Sequence, residues 1–399
     1  MVNRNQNLKI DSENRNLTYN NLVRIDQNEI KILQLAHGKI IPEYTSAYSM
    51  RCYSIFKDIK YRKIFSVAGT VFKDRHTDFA FQFRSIILTG LSMLKGNRSL
   101  EIFIARSKFL RKKFIKYSKK EIAKSDVVVF EGPWHFRTFK EDIKGKVVIY
   151  DAHNVESKLR KKNTFYDEVK KLEMDISAAS DAIFCVTESD LNDFIEIYST
   201  PRQKLFLAPH FQINVGKTWN GPGSDSVVFI GSVYSPNIDA VNSIKRMAIK
   251  IPEIKFYILG NFPFPYRRDS PQNVIFTGIV NDKEKEDLIC NSFAALNPVT
   301  EGSGRNLKMI DYIAHGIPII STKVGCRGLS EYNIEDIIDV YEPDGFVEAI
   351  LSLKKDKKRM MEESKALIEL YSNLKIKEGS LNIKEIVKNL LTKKLEVKL

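Results

Sequence analysis

The sequence predicts an α/β protein made of two doubly wound, parallel-sheet units of similar size. Three observations predict it. Short apolar runs of strand character alternate with helical segments, as in a parallel sheet covered by helices on both faces. The alternation breaks once, at GKTWNGPGSD (216–225), where Gly216, Gly221, Pro222 and Gly223 cluster, and then restarts. A length of 399 residues is long for one domain and suits two, each able to bury its own core.

Residues 1–28 are polar and aperiodic and are expected to form a frayed tail. Strand character begins with IKILQLA at Ile30 and returns in RKIFSVAG (62–69). SDVVVFEGPW (125–134) is a buried strand running into a Gly-Pro loop, and KVVIYDAHNVE (146–156) is a strand ending in polar residues. DAIFCVTESD (181–190) and KLFLAPH (204–210) continue the series. After the break come SVVFIGSVY (226–234), a helix near 238–249, EIKFYILGN (253–261), NVIFTGIV (273–280) and a helix near 282–291. FAALNPV (293–299), a Gly-rich loop, a helix near 306–315 and IPIISTKVG (317–325) follow, and helical sequence over 343–397 closes the chain. This divides the chain into a first domain over 29–215, a linker over 216–225 and a second domain over 226–375. A terminal helix over 376–399 is placed to pack back on the first domain. Ligands of such sheets bind at the carboxyl ends of the strands, so the chemistry is expected in the cleft between the halves.

Composition narrows the class. An apolar content of 43% is that of an ordinary globular protein. No stretch reaches the ~18 uninterrupted apolar residues of a membrane span; the nearest, Phe79 to Leu94, is broken by Gln82 and Arg84. The N-terminus shows no apolar signal region, so a cytoplasmic protein is expected. Cys52, Cys185, Cys290 and Cys326 are widely spaced, and the histidines are scattered, so buried free thiols and no metal are expected. The net charge of +14 favours anionic partners without choosing among phosphates, nucleic acid and anionic membrane.

The most informative stretch is NPVTEGSGRNLKMIDYIAHGIPIISTKVG (297–325). A strand ends at Pro298, a loop with Gly302 and Gly304 follows, and a helix starts near Asn306. Glycines let backbone approach a ligand closely, and the helix start offers unpaired N–H groups at the positive end of its dipole. Arg305 and Lys308 add cations to the first turn, against the dipole, a placement that makes sense when an anion such as pyrophosphate lies between them. Asp311 lies one turn on, within reach of a ribose diol, and Glu301 at the loop entrance can accept hydrogen bonds from sugar hydroxyls. The plain alternative is a helix cap with surface charges.

EGSGRNLKMIDYIAHGIPIISTKVGCRGL (301–329) resembles the donor-site signature of family 4 glycosyltransferases, in the subgroup with a Gly-Ser-Gly loop. VVFIGSVYSPNIDAV resembles the strand and loop that open the donor domain, VIFTGIV the strand whose following backbone meets the base, and DAHNVE a cleft-lining element of the acceptor domain. The resemblance implies the GT-B fold, two Rossmann-like domains facing across a cleft. It also implies a metal-independent, retaining transfer of a hexose-type sugar from a UDP- or GDP-linked donor to a glycan, lipid or other hydroxyl acceptor. By the family pattern Glu301 holds the donor sugar, and Gly302, Ser303 and Gly304 present amides to sugar and phosphate, with Asn306 at the helix start. Arg305 and Lys308 neutralise the pyrophosphate, Asp311 takes the ribose, Gly231 and Ser232 line the phosphates from the other side, and Ile279 brackets the base. Three departures stand out. The carboxylate at 311 is Asp and lies further from Glu301 than the family's usual second Glu. No Arg and Lys pair follows the first donor-domain strand, and HGKIIPEYTSAYSMR (37–51) replaces the N-terminal Gly-Gly loop.

Candidates on the acceptor side are His153, as a sugar-contacting cleft residue or a His satisfied at a strand end, and Glu131, as a base for the attacking hydroxyl or a loop carboxylate. Glu156 and Glu188 carry weaker signals. The run RSKFLRKKFIKYSKK (106–120) holds eight Lys/Arg in fifteen residues. As a helix it sets Leu110, Phe114 and Tyr117 against Lys112, Lys116, Lys119 and Lys120. It is either a peripheral contact for an anionic membrane, on its inner face, or an ordinary helix with a solvated basic face. No nucleic-acid-binding motif accompanies the charge. Two functions remain: a glycosyltransferase, and a non-catalytic nucleotide-sugar-binding partner subunit on the same fold. Glu301 favours the first, because a nucleotide sensor has no use for a sugar-facing carboxylate.

Overall fold

The computed structural model describes residues 30–38, 40, 47–68, 79–82, 101–102, 106, 111–161, 164–209, 215–233, 235–302, 305–329, 332–379 and 382–396. Ser303, Gly304, the 1–28 tail and residues 107–110 of the basic run lie outside them. The chain divides into two compact units, one of residues 1–210 with 381–399 and one of residues 211–380.

The first unit carries a seven-stranded parallel sheet in the order β3-β2-β1-β4-β5-β6-β7. Its strands are β1 (Lys31–Ala36), β2 (Tyr61–Ala68), β3 (Phe79–Gln82), β4 (Val127–Glu131), β5 (Val147–Ala152), β6 (Ala182–Cys185) and β7 (Leu205–Leu207). VVVFE of β4 and VVIYDA of β5 are buried throughout, as expected of parallel strands covered on both faces. One face packs Leu33, Val128, Phe130 and Tyr150 against helices Lys112–Lys124 and Glu188–Tyr198. On the other, Ile32, Val127, Val129 and Ile149 pack with Phe56 and with Val387 of helix Ile383–Glu396. The terminal helix thus starts at Ile383 rather than 376, and residues up to Gly379 complete the preceding helix, Lys357–Gly379.

The second unit carries a six-stranded parallel sheet in the order β10-β9-β8-β11-β12-β13. Its strands are β8 (Ser226–Ile230), β9 (Lys255–Leu259), β10 (Val274–Gly278), β11 (Ala294–Asn297), β12 (Ile319–Ser321) and β13 (Asp339–Val340). The segment 216–225, expected as a linker, belongs to this unit. Trp219 is buried in its core, and the indole N–H donates to the Ser292 carbonyl at 2.7 Å. The Trp219 backbone N–H donates to the His315 carbonyl at 2.8 Å, so one large side chain anchors a Gly-rich stretch that composition marks as free.

The helix of the basic run is Lys112–Lys124, and its buried residues are Phe114, Ser118 and Ile122. Tyr117, expected on the apolar face, is 43% exposed. The i, i+4 spacing of the buried three forms a narrow stripe, and Tyr117 falls outside it. All four cysteines are buried and free. No helix among the described residues is long and apolar enough to cross a membrane.

Candidate functional site

In the second unit the strand order reverses between β8 and β11. Such a switch point opens a crevice outside the carboxyl ends of the two strands, the usual ligand position in doubly wound sheets. Gly231 and Ser232 follow β8, and the loop through Glu301 and Gly302 follows β11. The helix Leu307–His315 then begins, with Asn306 as its N-cap residue. Tyr312 ties this helix to both strands: its hydroxyl accepts from Ile230 N–H at 2.9 Å and donates to the Leu296 carbonyl at 3.4 Å.

Lys308 is the centre of the site. It is only 8% exposed, its Nζ stands 4.1 Å from the centroid of Phe229, and it donates to Asn237 Oδ1 at 2.9 Å. Asn237 in turn donates to the Ser232 carbonyl at 3.0 Å, so the lysine ends against the loop after β8. Gly231 is needed there, because a Cβ would stand 2.8 Å from the Phe229 ring. Among the described residues no carboxylate pairs with Lys308. Burial, and then the nearby charge of Arg327, push its pKa well below the usual lysine value. A cation kept out of water without a counter-ion is a prepared place for an anion.

The other expected donor-site residues are placed as follows. Arg305 precedes the helix instead of lying in its first turn, so only Lys308 opposes the dipole. The Arg305 guanidinium donates through Nε and Nη2 to the Gly328 carbonyl, at 3.2 and 3.0 Å, and is engaged with the protein's own backbone. Gly302 has φ +140°, open to glycine, and Arg327 fills the space where a Cβ would go: one terminal nitrogen is 2.8 Å from that position. Glu301 is exposed at the loop entrance. Asp311, expected on the ribose, is paired with Lys285 at 2.9 Å. Ile279 is 74% exposed just after β10, where Gly278 has φ +76°.

The first unit has a second polar constellation, also at a reversal of strand order, between β1 and β4. The sheet face that is apolar at Ile32, Val129 and Ile149 turns polar toward the carboxyl ends, at Gln34, Glu131 and Asp151. Helix Ala47–Ser54 brings Arg51 and Cys52 onto it. The Arg51 guanidinium binds both oxygens of Asp151, with Nε at 2.9 and 3.1 Å. Burial nonetheless outweighs Arg51 and holds Asp151 up at about 6. Glu131 is 0% exposed. Its carboxylate accepts from Gln34 Nε2 at 2.6 Å, Cys52 Sγ at 3.2 Å and His153 Nε2 at 2.9 Å. A carboxylate so enclosed does not reach an acceptor hydroxyl. The expectation of Glu131 as base gives way to Glu131 as the group that orients His153.

His153 is pushed down to about 4, chiefly by burial, and is neutral at neutral pH. With its Nε2 proton on Glu131, Nδ1 is left as an acceptor. Tyr48 lies against the imidazole at 4.7 Å between ring centroids and accepts from His37 N–H at 2.9 Å. The Cys52, Glu131 and His153 ligand atoms lie within 4.8 Å of one another, close enough to ligate one ion. In the structure their hydrogen bonds to one another occupy them.

Sequence reasoning missed Arg327, Asn237 and Phe229 in the second unit, and Gln34, Arg51, Cys52 and Asp151 in the first. Two signals were readable: a carboxylate closing an apolar strand in VVIYDA, and an arginine set between glycines in GCRG.

Residues 224–356 match the family model described as Glycosyl transferases group 1. A Klebsiella pneumoniae protein named "Uncharacterized 44.6 kDa protein in cps region" is 24% identical over 151 residues, 34% of this chain and 39% of that protein. The chain thus spans well under half the length of this curated relative. Among solved structures, Anabaena Alr3699/HepE in complex with UDP-glucose is similar at a TM-score of 0.64 and 12% identity, over 92% of this chain and 100% of that one. Sucrose-phosphate synthase of Thermosynechococcus elongatus is similar at a TM-score of 0.68 and 12% identity, over 92% and 100%. The fold is that of GT-B glycosyltransferases, with two Rossmann-like units, and the region matched by the group 1 model lies in the second of them.

Proposed function

We propose that this chain moves a hexose-type sugar from a UDP- or GDP-linked donor to a hydroxyl of a glycan, lipid or other acceptor, with retention of configuration and without a metal ion. The observation that carries the proposal is Lys308, buried at the β8/β11 switch point with no carboxylate partner among the described residues. The UDP-glucose of the Anabaena structure favours uridine as the base. The finer assignment to family 4 belongs to the same proposal and rests on the 301–329 sequence.

In this reading the acceptor oxygen forms a bond to the anomeric carbon. The bond from that carbon to the phosphate oxygen breaks, the nucleoside diphosphate leaves with the electron pair, and the acceptor hydroxyl's proton passes to the leaving phosphate oxygen. Lys308 and the amides at the helix start stabilise the charge growing on the leaving phosphate, a task a divalent ion performs elsewhere. Gly231 and Ser232 border the phosphates, with Ser303 and Gly304 assigned to them by the motif alone. Ile279 meets the base, Glu301 holds the transferring sugar, and Asp311 reaches the ribose while sharing Lys285. His153, oriented by Glu131, offers Nδ1 to a substrate hydroxyl.

Peripheral contact with an anionic membrane from the cytoplasmic side is a further part of the proposal. Helix Lys112–Lys124 supports it, with Lys112, Lys113, Lys116, Lys119 and Lys120 all exposed. Turnover of a panel of UDP- and GDP-sugars, by hydrolysis or transfer, in the presence of EDTA tests the central reading. Absence of turnover with every donor refutes the enzyme. Activity only with Mg²⁺ or Mn²⁺ refutes metal independence.

A further inference from the structure

We propose that Arg327 is a diphosphate-binding residue of the donor site, closing on the anion together with Lys308 beside Gly302. The inference rests on the donor-site reading above and adds to it a residue of the β12 loop.

Three observations carry it. The first is position. The guanidinium of Arg327 occupies the space beside Gly302 that a Cβ would fill, 2.8 Å from the nearer terminal nitrogen. Gly302 with φ +140° therefore serves two ends: it allows the loop conformation and admits the arginine. The second is charge. Arg327 is the charged group that acts on buried Lys308, and the two cations repel. An anion bound between them turns that repulsion into two charge-assisted contacts. The third is preorganisation. The turn bearing Arg327 is fastened to the end of β11, the strand that leads into the donor loop. Asn297 Nδ2 donates to the Gly325 carbonyl at 3.0 Å, Gly325 N–H to Thr322 Oγ1 at 2.9 Å, and Thr322 N–H to the Asn297 carbonyl at 3.2 Å. Gly325 has no room for a side chain, since a Cβ would stand 2.3 Å from Ser321 Oγ.

Arg305 grips the same turn from the donor-loop side through the Gly328 carbonyl. The two arginines therefore divide the work differently from the motif's expectation: Arg305 holds the turn, and Arg327 meets the phosphate. Nη1 of Arg327 donates to the Val324 carbonyl at 3.0 Å, which aims the fork.

The test is calorimetry of UDP and of uridine with the full chain and its Arg327→Gln, Arg327→Lys and Lys308→Met variants, with melting curves beside it. Arg327→Gln is expected to weaken UDP roughly ten- to hundredfold and uridine less than about twofold, the range for a lost charge-assisted contact. Arg327→Lys keeps the charge but loses the fork and is expected to fall between. If Arg327→Gln binds UDP as the parent does while Lys308→Met is weakened, the donor site stands and the role of Arg327 is overturned. If uridine and UDP weaken alike with a lowered melting temperature, Arg327 only holds its loop and the proposal is again overturned. If the parent chain binds neither UDP nor GDP, the donor-site reading fails first. Should Arg327→Gln not fold, the UDP-to-uridine ratio of Arg327→Lys decides: an unchanged ratio overturns the proposal.

Discussion

Lys308 is a residue whose removal is expected to improve the fold and damage the site. The substitution is Lys308→Met, which keeps an unbranched apolar stem against Phe229 and removes the charge. Lys308 is 8% exposed, and among the described residues it donates to Asn237 Oδ1 at 2.9 Å. Its folded pKa lies well below the ordinary value, first through burial and then through Arg327. The folded protein therefore binds fewer protons than the unfolded chain between that lowered value and about 10.4. Below this window the penalty of burying a charged lysine acts in full, and stability rises as pH climbs through it. Lys308→Met removes that penalty, so at neutral pH the melting temperature is expected to hold or rise, and the stabilisation on raising the pH to shrink. The cost appears with the ligand. A lost charge-assisted contact of about 1.5–3 kcal/mol weakens UDP roughly ten- to hundredfold. Scanning calorimetry across pH and titration calorimetry with UDP measure both. A melting temperature lowered by several degrees with UDP affinity unchanged would refute the reasoning and make Lys308 a structural lysine.

Further outcomes are expected from the same geometry. Glu301→Gln keeps the shape but not the charge, so UDP affinity stays within about twofold while transfer falls by two orders of magnitude or more, measured as turnover of the donor sugar. Arg51→Met strands the buried Asp151 carboxylate and is expected to cost about 3–5 kcal/mol in urea unfolding. Because burial raises Asp151 to about 6 even with Arg51 present, the loss should be smaller at pH 5, where Asp151 takes a proton, than at pH 8. An equal loss at both pH values would show that Asp151 is not the stranded charge. Metal analysis of the purified chain, read with activity in EDTA, is expected to show no ion stoichiometrically bound at Cys52, Glu131 and His153. Neutralising Lys112, Lys113 and Lys116 together should reduce flotation with anionic vesicles and leave turnover on a soluble acceptor intact.

Period and composition were enough for the architecture. VVVFE and VVIYDA read as strands buried on both faces because nothing in them tolerates water on either side until the carboxylates at their ends. The loop proposed to hold the donor was marked in the sequence for a similar reason: its glycines, its cations and the start of Leu307–His315 are contiguous, so local chemistry alone points to an anion. What stayed hidden depends on contacts between residues far apart in the chain. Arg305 and Arg327 look alike in sequence, and only the packing of the β12 turn against β11 turns one toward the Gly328 carbonyl and sets the other beside Gly302. Glu131 reads as a free loop carboxylate until Gln34, Cys52 and His153 converge on it from β1, helix Ala47–Ser54 and the end of β5. Trp219 lies in a stretch that composition marks as a linker, and its indole N–H is held by the Ser292 carbonyl, 73 positions downstream. The sequence by itself determined the periods, the glycines and the charges near in the chain. The tertiary structure decided which charges meet, because burial and distance set a side chain's protonation and partner, and neither is a local property.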